Sequence, residues 1–142
     1  MPFEEIEHTA DWAIRVRGRD LPELFATAAR GMFSLVTDLS PIVASREIEL
    51  DLRAIDVETL LVDWLNELLF LSEDRDLVFS EFDVHHLDEP EPQRSLTVAR
   101  IRATVRGGVV SQRLKGIKAA TFSSLSIQHR GGTYETQLVF DV

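Results

Sequence analysis

The chain has 142 residues, 44% of them hydrophobic and 27% charged. This length and balance predict one domain over residues 1–142 with a core of its own, and they exclude disorder as the main state. The absence of cysteine excludes disulfides, thiolate metal sites and cysteine nucleophiles. A formal net charge of −9 disfavours tight direct binding to nucleic acid, because an acidic surface repels phosphates.

The first half predicts two strands, a helix, a strand and a second helix. Alternation predicts strands at 3–8, 13–16 and 48–54. Asp20 is the predicted N-cap of the first helix, which ends near Asp38, and Asp56 is the predicted N-cap of the second. The apolar stripe of the first helix recurs at steps of three and four residues and consists of Leu21, Leu24, Phe25, Ala28, Met32, Leu35 and Val36.

The second half predicts strands only. They cover 78–87 and 96–105, with a break in alternation near residues 99–100 for which a bulge is one explanation. A turn is predicted at Gly107-Gly108 and a hairpin around Gly131-Gly132, with Phe140 on its last strand. These elements together predict an α+β fold, a two-layer sandwich in which two amphipathic helices cover one face of a mainly antiparallel sheet.

Targeting and membrane signals are not evident in the sequence. The N-terminus is acidic and alternating, unlike a signal peptide. The longest apolar segment, residues 60–71, is interrupted by polar side chains and is too short to span a bilayer. We therefore expect a cytoplasmic protein without membrane contacts.

A short polar motif, Glu7-His8-Thr9-Ala10-Asp11, lies between the first two predicted strands. It places three potential metal ligands within five residues, but taken alone the motif is explained more simply by an ordinary polar turn. At the other end, Asp141 stands next to the terminal carboxylate of Val142. Clustered carboxylates repel one another, and a hard cation such as Ca²⁺ or Mg²⁺ relieves that repulsion. A solvated aspartate at a frayed chain end is the alternative.

Two other groups of polar residues are weaker candidates for a functional site. His85 and His86 are adjacent on a predicted strand, so they point to opposite faces and cannot chelate one ion together. One is expected at the surface and the other partly buried. Ser123 and Ser124 with His129 lack an orienting carboxylate nearby, which argues against a catalytic triad.

Five segments in the same chain order resemble the archease family. They are EHTAD at 7–11, LFATAARGMFSLVTD at 24–38, LVDWLNELLFL at 61–71, IKAATF at 117–122 and VFDV at 139–142. The resemblance implies a non-catalytic accessory protein of a GTP-dependent RNA ligase in tRNA splicing or RNA repair. Such a protein promotes guanylylation of the ligase and its repeated turnover, and reaches RNA only through the ligase.

The resemblance also implies a metal site. Its ligands are Asp11, Asp141 and the backbone or terminal carboxylate of Val142, with Asp38 as a further candidate. The expected cofactor is a divalent cation, calcium first, with magnesium or manganese as alternatives. The chain departs from the family pattern in a short segment before Ile117 and in having Phe122-Ser123 where Tyr-His is common.

Two other functions remain open at this point. A metal-dependent phosphoester hydrolase could use the aspartates to bind a catalytic ion, with His8 as base. A general chaperone or adaptor could dock varied clients on its helical face.

Overall fold

The computed structural model describes residues 3–7, 12–91, 93, 97–110, 116–123 and 125–142. Over these residues the chain forms two helices and eight strands. In order they are β1 (Phe3–Glu7), β2 (Trp12–Gly18), α1 (Leu21–Val36), β3 (Arg46–Ala54), α2 (Val57–Arg75), β4 (Val78–Asp88), β5 (Ala99–Gly108), β6 (Ala119–Thr121), β7 (Gln128–Arg130) and β8 (Thr133–Asp141). The predicted α+β class is confirmed.

Aspartates begin both helices, as the sequence predicts. The Oδ1 atom of Asp20 accepts a hydrogen bond of 2.9 Å from the backbone N–H of Glu23. The Oδ1 atom of Asp56 accepts one of 2.7 Å from the backbone N–H of Thr59. Each bond satisfies an amide that has no acceptor within its own helix. The two helices therefore start where their caps dictate.

The strands form two antiparallel sheets instead of the one sheet that the sequence analysis expects. One sheet has the order β1-β2-β8-β6, with β7 also paired to β8, and the other has the order β3-β5-β4. Each helix contacts both sheets, α1 through β2 and β4, and α2 through β3 and β6. The physical reason is the width of the buried helix surface, since ten of the sixteen residues of α1 are buried. One sheet face cannot cover so broad a surface.

The core joins the two helices directly. The indole of Trp64 is fully buried, and its Nε1–H donates a hydrogen bond of 3.0 Å to the carbonyl oxygen of Phe25. Phe33 of α1 stacks against Phe82 and meets Phe79 edge-on, so it packs on β4. These contacts fix α1 and α2 against the three-stranded sheet.

The predicted turn at Gly107-Gly108 is wrong, because both glycines lie at the end of β5. Gly107 pairs with Arg46 on one side and with Phe79 on the other. A Cβ atom at Gly107 would overlap the carbonyl oxygen of Val78. Glycine is therefore needed here for close approach of neighbouring strands, a role that a Gly-Gly pair in a sequence does not distinguish from a turn.

Register shifts occur in β4 and not near residues 99–100 of β5. The pairing of β5 with β3 is continuous, whereas β4 shifts between Phe79 and Glu81 and again between Val84 and His86. The second shift breaks the alternation of side chains. As a result both His85 and His86 are exposed, which corrects the expectation that one of them is partly buried.

The C-terminal hairpin is confirmed. Gly131 and Gly132 connect β7 to β8 with φ angles of 58° and 79°, the positive values that a two-residue hairpin turn favours. The short strand β6 is an addition that the sequence analysis does not predict. Three residues are too few for alternation to be recognised, and the pairing of β6 with β8 is what defines it.

Candidate functional site at the end of strand β8

The end of β8 is held between two neighbouring strands. On one side Trp12 of β2 pairs with Phe140. On the other side Ala119 of β6 pairs with Asp141, and the N–H of Lys118 donates a hydrogen bond of 2.8 Å to the carbonyl oxygen of Asp141. The backbone of Asp141 therefore belongs to the sheet and is not a frayed end.

The side chains at this end point into solvent. Asp141 is exposed, and Val142 retains 42% of its accessible surface. A cation can reach an exposed carboxylate on a fixed backbone without any rearrangement of the chain. Only oxygen donors are available from these two residues, and oxygen donors suit hard cations.

Asp11 lies outside the described residues, and so do His8, Thr9 and Ala10. The residues that flank this motif are described. Glu7 pairs with Trp12 across β1 and β2, and Trp12 in turn pairs with Phe140. The strand that follows the motif therefore begins beside the residue that precedes Asp141.

Asp38 follows the C-terminus of α1 and is exposed. Its Oδ1 atom accepts hydrogen bonds from the hydroxyl of Ser40 at 2.7 Å and from the N–H of Ser40 at 3.1 Å. These two bonds, the hydroxyl first, lower the pKa of Asp38. The carboxylate is ionised at neutral pH, and one of its oxygens already stabilises a local turn.

The candidate ligands do not form a complete metal centre within the described ranges. Among these residues, no group of three or more acidic or histidine side chains could hold a metal ion. The site predicted from Asp11, Asp141, Val142 and Asp38, called the C-terminal site below, thus remains a prediction. Carboxylate oxygens, which these residues would supply, are the donors that a divalent cation such as calcium prefers.

A hollow of about 410 Å³ adjoins this end of the molecule. It lies between the C-terminal turns of α1 and α2 and residues 116–118. Phe33, Val36, Leu69 and Ile117 line it with apolar surface, and Glu73 and Asp76 are among its polar residues. Because Lys118 also lines it and bonds to Asp141, the hollow is next to the candidate ligand.

Asn66 is a residue that sequence reasoning missed as part of this region. Its side-chain Nδ2–H donates to the carbonyl oxygen of Ala120 at 3.1 Å, and the N–H of Ala120 donates to Oδ1 at 2.8 Å. In the sequence Asn66 is one of three polar residues, with Asp63 and Glu67, that interrupt the apolar segment 60–71, and nothing sets it apart from the other two. Asn66 links α2 to β6, the strand that holds Asp141.

The other polar groupings have structural partners. His129 stacks on Tyr134 with ring centroids 4.0 Å apart, across the β7–β8 hairpin. His85 Nε2 lies 2.7 Å from the hydroxyl of Thr104 on the neighbouring strand. Ser124 lies outside the described residues. No helix within the described ranges has the length and apolar character needed to cross a membrane.

Comparison with known proteins decides the family. The sequence profile of the archease protein family matches residues 3–142.

The chain belongs to the archease family.

Relatives and solved structures agree over the full length. Protein archease of Methanopyrus kandleri is 32% identical over 146 residues, which covers 100% of both chains. The solution structure of protein 1598 from Methanobacterium thermoautotrophicum superimposes with a TM-score of 0.84 at 31% identity and covers 99% of each chain. A crystal structure of an archease, possible chaperone, from Thermotoga maritima has a TM-score of 0.59 at 23% identity, covering 98% of this chain and 96% of that one, and it supports the fold alone. The archease resemblance seen in the five sequence segments is thus confirmed.

Proposed function

We propose that this archease is a cytoplasmic accessory protein of a GTP-dependent RNA ligase and acts on that enzyme through a cation-binding C-terminal site. The ligase catalyses the reaction, and the archease promotes ligase guanylylation and multiple turnover. RNA is contacted only through the ligase. A net charge of −9 fits a protein partner with a basic surface better than free RNA.

The observation that carries the proposal is the fixed end of β8. β2 and β6 flank Phe140, and β6 also pairs with Asp141, so the Asp141 carboxylate is carried on a backbone of defined position. Preorganised ligands bind a cation with less loss of conformational entropy than ligands on a free terminus. The described residues are thus suited to the role that the family resemblance implies for them.

The proposed ligands are Asp11, Asp141 and the backbone or terminal carboxylate of Val142. Asp38 is a weaker fourth, since Ser40 already engages one of its oxygens. A set of oxygen anions favours calcium, with magnesium or manganese as alternatives. When bound, the cation neutralises the clustered carboxylates and gives the ligase a defined charged surface to contact.

The test is a guanylylation assay of the purified ligase. Ligase, GTP and Mn²⁺ are incubated with and without this protein at one tenth of the ligase concentration, and the ligase–GMP adduct and sealed RNA are counted per ligase molecule. We expect more adduct and several sealing events per ligase when the archease is present. Equal adduct and equal sealing in both reactions would contradict the proposal.

A client-binding chaperone is the second candidate. In this chain the side chains of Phe70 and Phe122 are 61% and 57% exposed. Apolar side chains mark a protein-binding site when they form a contiguous exposed patch. The chaperone interpretation predicts that aggregation of unrelated heated proteins is suppressed while the ligase is unaffected, which is the opposite outcome to the proposed one.

An assay of the same purified protein without ligase distinguishes a hydrolase from an accessory protein. Turnover of nucleotides or phosphoesters by the protein alone, dependent on a divalent cation, favours the hydrolase over the accessory function.

A further inference from the structure

The amide of Asn66 takes the place of a neighbouring strand for β6. β6 is at the edge of the five-stranded sheet, with β8 on its other side. In an antiparallel ladder, alternate residues direct both their N–H and their C=O away from the paired strand. At Ala120 these two groups meet Asn66, which accepts from the N–H at 2.8 Å and donates to the carbonyl oxygen at 3.1 Å.

Side-chain chemistry explains why an amide occupies this position. Asn66 lies between Leu65 and Leu68, two buried residues of α2, and it is itself partly buried. Asparagine is a poorer helix former than leucine, so the position gains nothing in helix propensity. Its amide carries a donor and an acceptor side by side, as a peptide group does. Ala120 is 6% exposed, and without Asn66 its N–H and C=O would be buried and unsatisfied.

Hydrogen bonds and the backbone of β6 connect Asn66 to the candidate ligand Asp141. Asn66 holds Ala120, the adjacent Ala119 pairs with Asp141, and the N–H of Lys118 bonds to the carbonyl oxygen of Asp141 at 2.8 Å. β6 has only three residues. Such a short strand has few ladder bonds of its own, so the two bonds from α2 are a large share of what holds it in place.

We propose that Asn66 is a positioning residue, which fixes the backbone that carries the Asp141 carboxylate for cation binding by holding β6 against β8. This inference rests on the proposed function of the C-terminal site. Asn66 does not contact the cation. It acts as outer-shell groups do in metal sites, by restricting where the ligands can move.

The experiment compares Asn66→Leu with Trp64→Phe. Asn66→Leu removes both bonds to Ala120 and keeps a side chain with the same branching and number of heavy atoms. Trp64→Phe is the matched control, because it removes a buried side-chain bond to a backbone carbonyl, Phe25, from the same helix but leaves β6 untouched. Calcium affinity is measured by titration calorimetry well below the melting temperature of each variant. Amide hydrogen exchange is followed at Lys118, whose own partner is Asp141 and not Asn66.

We expect Asn66→Leu to weaken calcium binding by about 10- to 100-fold and to speed exchange at Lys118. Trp64→Phe should lower the melting temperature but change neither readout. Unchanged affinity and unchanged exchange in Asn66→Leu would overturn the inference, and so would equal changes in both variants. If the wild-type protein binds neither Ca²⁺ nor Mn²⁺, the proposed metal site is wrong, and Lys118 exchange alone then decides whether Asn66 positions Asp141.

Discussion

Carboxylates are used differently on the outer face of the three-stranded sheet and at the end of β8. On the sheet face, Arg100 binds Asp51 through two bonds of 2.9 and 2.6 Å, and Arg106 binds Glu47 at 2.9 Å. Central strand β5 supplies the arginines, and edge strand β3 supplies the acids. At the end of β8, the described residues place no Lys or Arg side chain within ion-pair distance of the Asp141 carboxylate.

This difference separates structural acids from acids that are available to a ligand. The bond from Arg100 lowers the pKa of Asp51, which shows that this carboxylate already has its counter-charge. Asp141 instead has its backbone held by β6, and its neighbour Phe140 is held by β2, while the Asp141 side chain stays exposed. Within the described residues the Asp141 carboxylate has no cationic side-chain partner, as the proposed metal site requires. The following predictions test that distinction.

The largest expected effect on stability is at Gly107, in the sheet that does not carry the site. Gly107→Ala places a Cβ atom against the Val78 carbonyl and 2.8 Å from the Cα of Phe79, and main-chain atoms cannot move aside cheaply. We expect the free energy of unfolding to fall by about 3 kcal/mol in urea titrations. Gly116→Ala is the control, since a Cβ there meets nothing within 4 Å. Similar losses for both variants would show that the close approach of β4 and β5 is not what the glycine permits.

The next prediction concerns ligand binding. Asp141→Asn should weaken calcium affinity on the order of 100-fold, because affinity depends on the number of charged ligands. Asp51→Asn removes the same charge from the sheet face and should leave the affinity unchanged. Calorimetric titration of both variants checks this, with circular dichroism to confirm that each is folded. Equal loss in both would mean that net charge, and not the C-terminal site, governs binding.

Local signals account for the parts of the fold that the sequence predicted. Asp20 and Asp56 cap helices whose apolar residues recur every three or four positions, and both helices are found where expected. The alternation at Glu47 to Arg53 gives β3. Gly131 and Gly132 mark the hairpin. Each of these depends on neighbours within a few residues.

The features that sequence analysis missed depend on distant partners. Ala120 and Asn66 are 54 positions apart, and nothing local indicates that their polar groups meet. The division into two sheets likewise follows from which strands pair across the whole chain. Asp141 was recognised as a candidate by its place beside the terminus, but the support that it receives from β6 was not. Asp11 stays a prediction, because it lies outside the described residues.

A smaller effect is expected at Asp56, the N-cap of α2. Asp56→Ala should cost about 1 kcal/mol of unfolding free energy at pH 7, whereas Asp56→Asn keeps an acceptor and should cost little. Bonds from the Thr59 hydroxyl and backbone N–H lower the pKa of Asp56 from its usual 3.8. The folded state therefore binds this proton more weakly than the unfolded chain does. The contribution of ionised Asp56 is complete above pH 3.8 and is lost as the pH falls through the lower folded pKa.

Urea titrations between pH 2 and pH 7 measure how the contribution of Asp56 to the free energy of unfolding depends on pH. The difference in free energy of unfolding between wild type and Asp56→Asn should be constant near neutral pH. At the lowest pH values the wild type should lose stability relative to the variant. A difference that changes between pH 5 and pH 7 would point to another titrating group.

The smallest effect is expected for the Asp51–Arg100 pair itself. Both side chains are on the solvent face, at 47% and 34% exposure, where water and salt weaken ion pairs. A double-mutant cycle with Asp51→Asn and Arg100→Gln should give a small favourable coupling in low salt that declines as NaCl is raised to 1 M. A coupling that is large and insensitive to salt would mean that this face is shielded from solvent, as it would be beneath a partner or a second copy of the chain. The face that carries Asp51 and Arg100 would then be an interaction surface. Pairing with arginine would no longer distinguish structural carboxylates from functional ones.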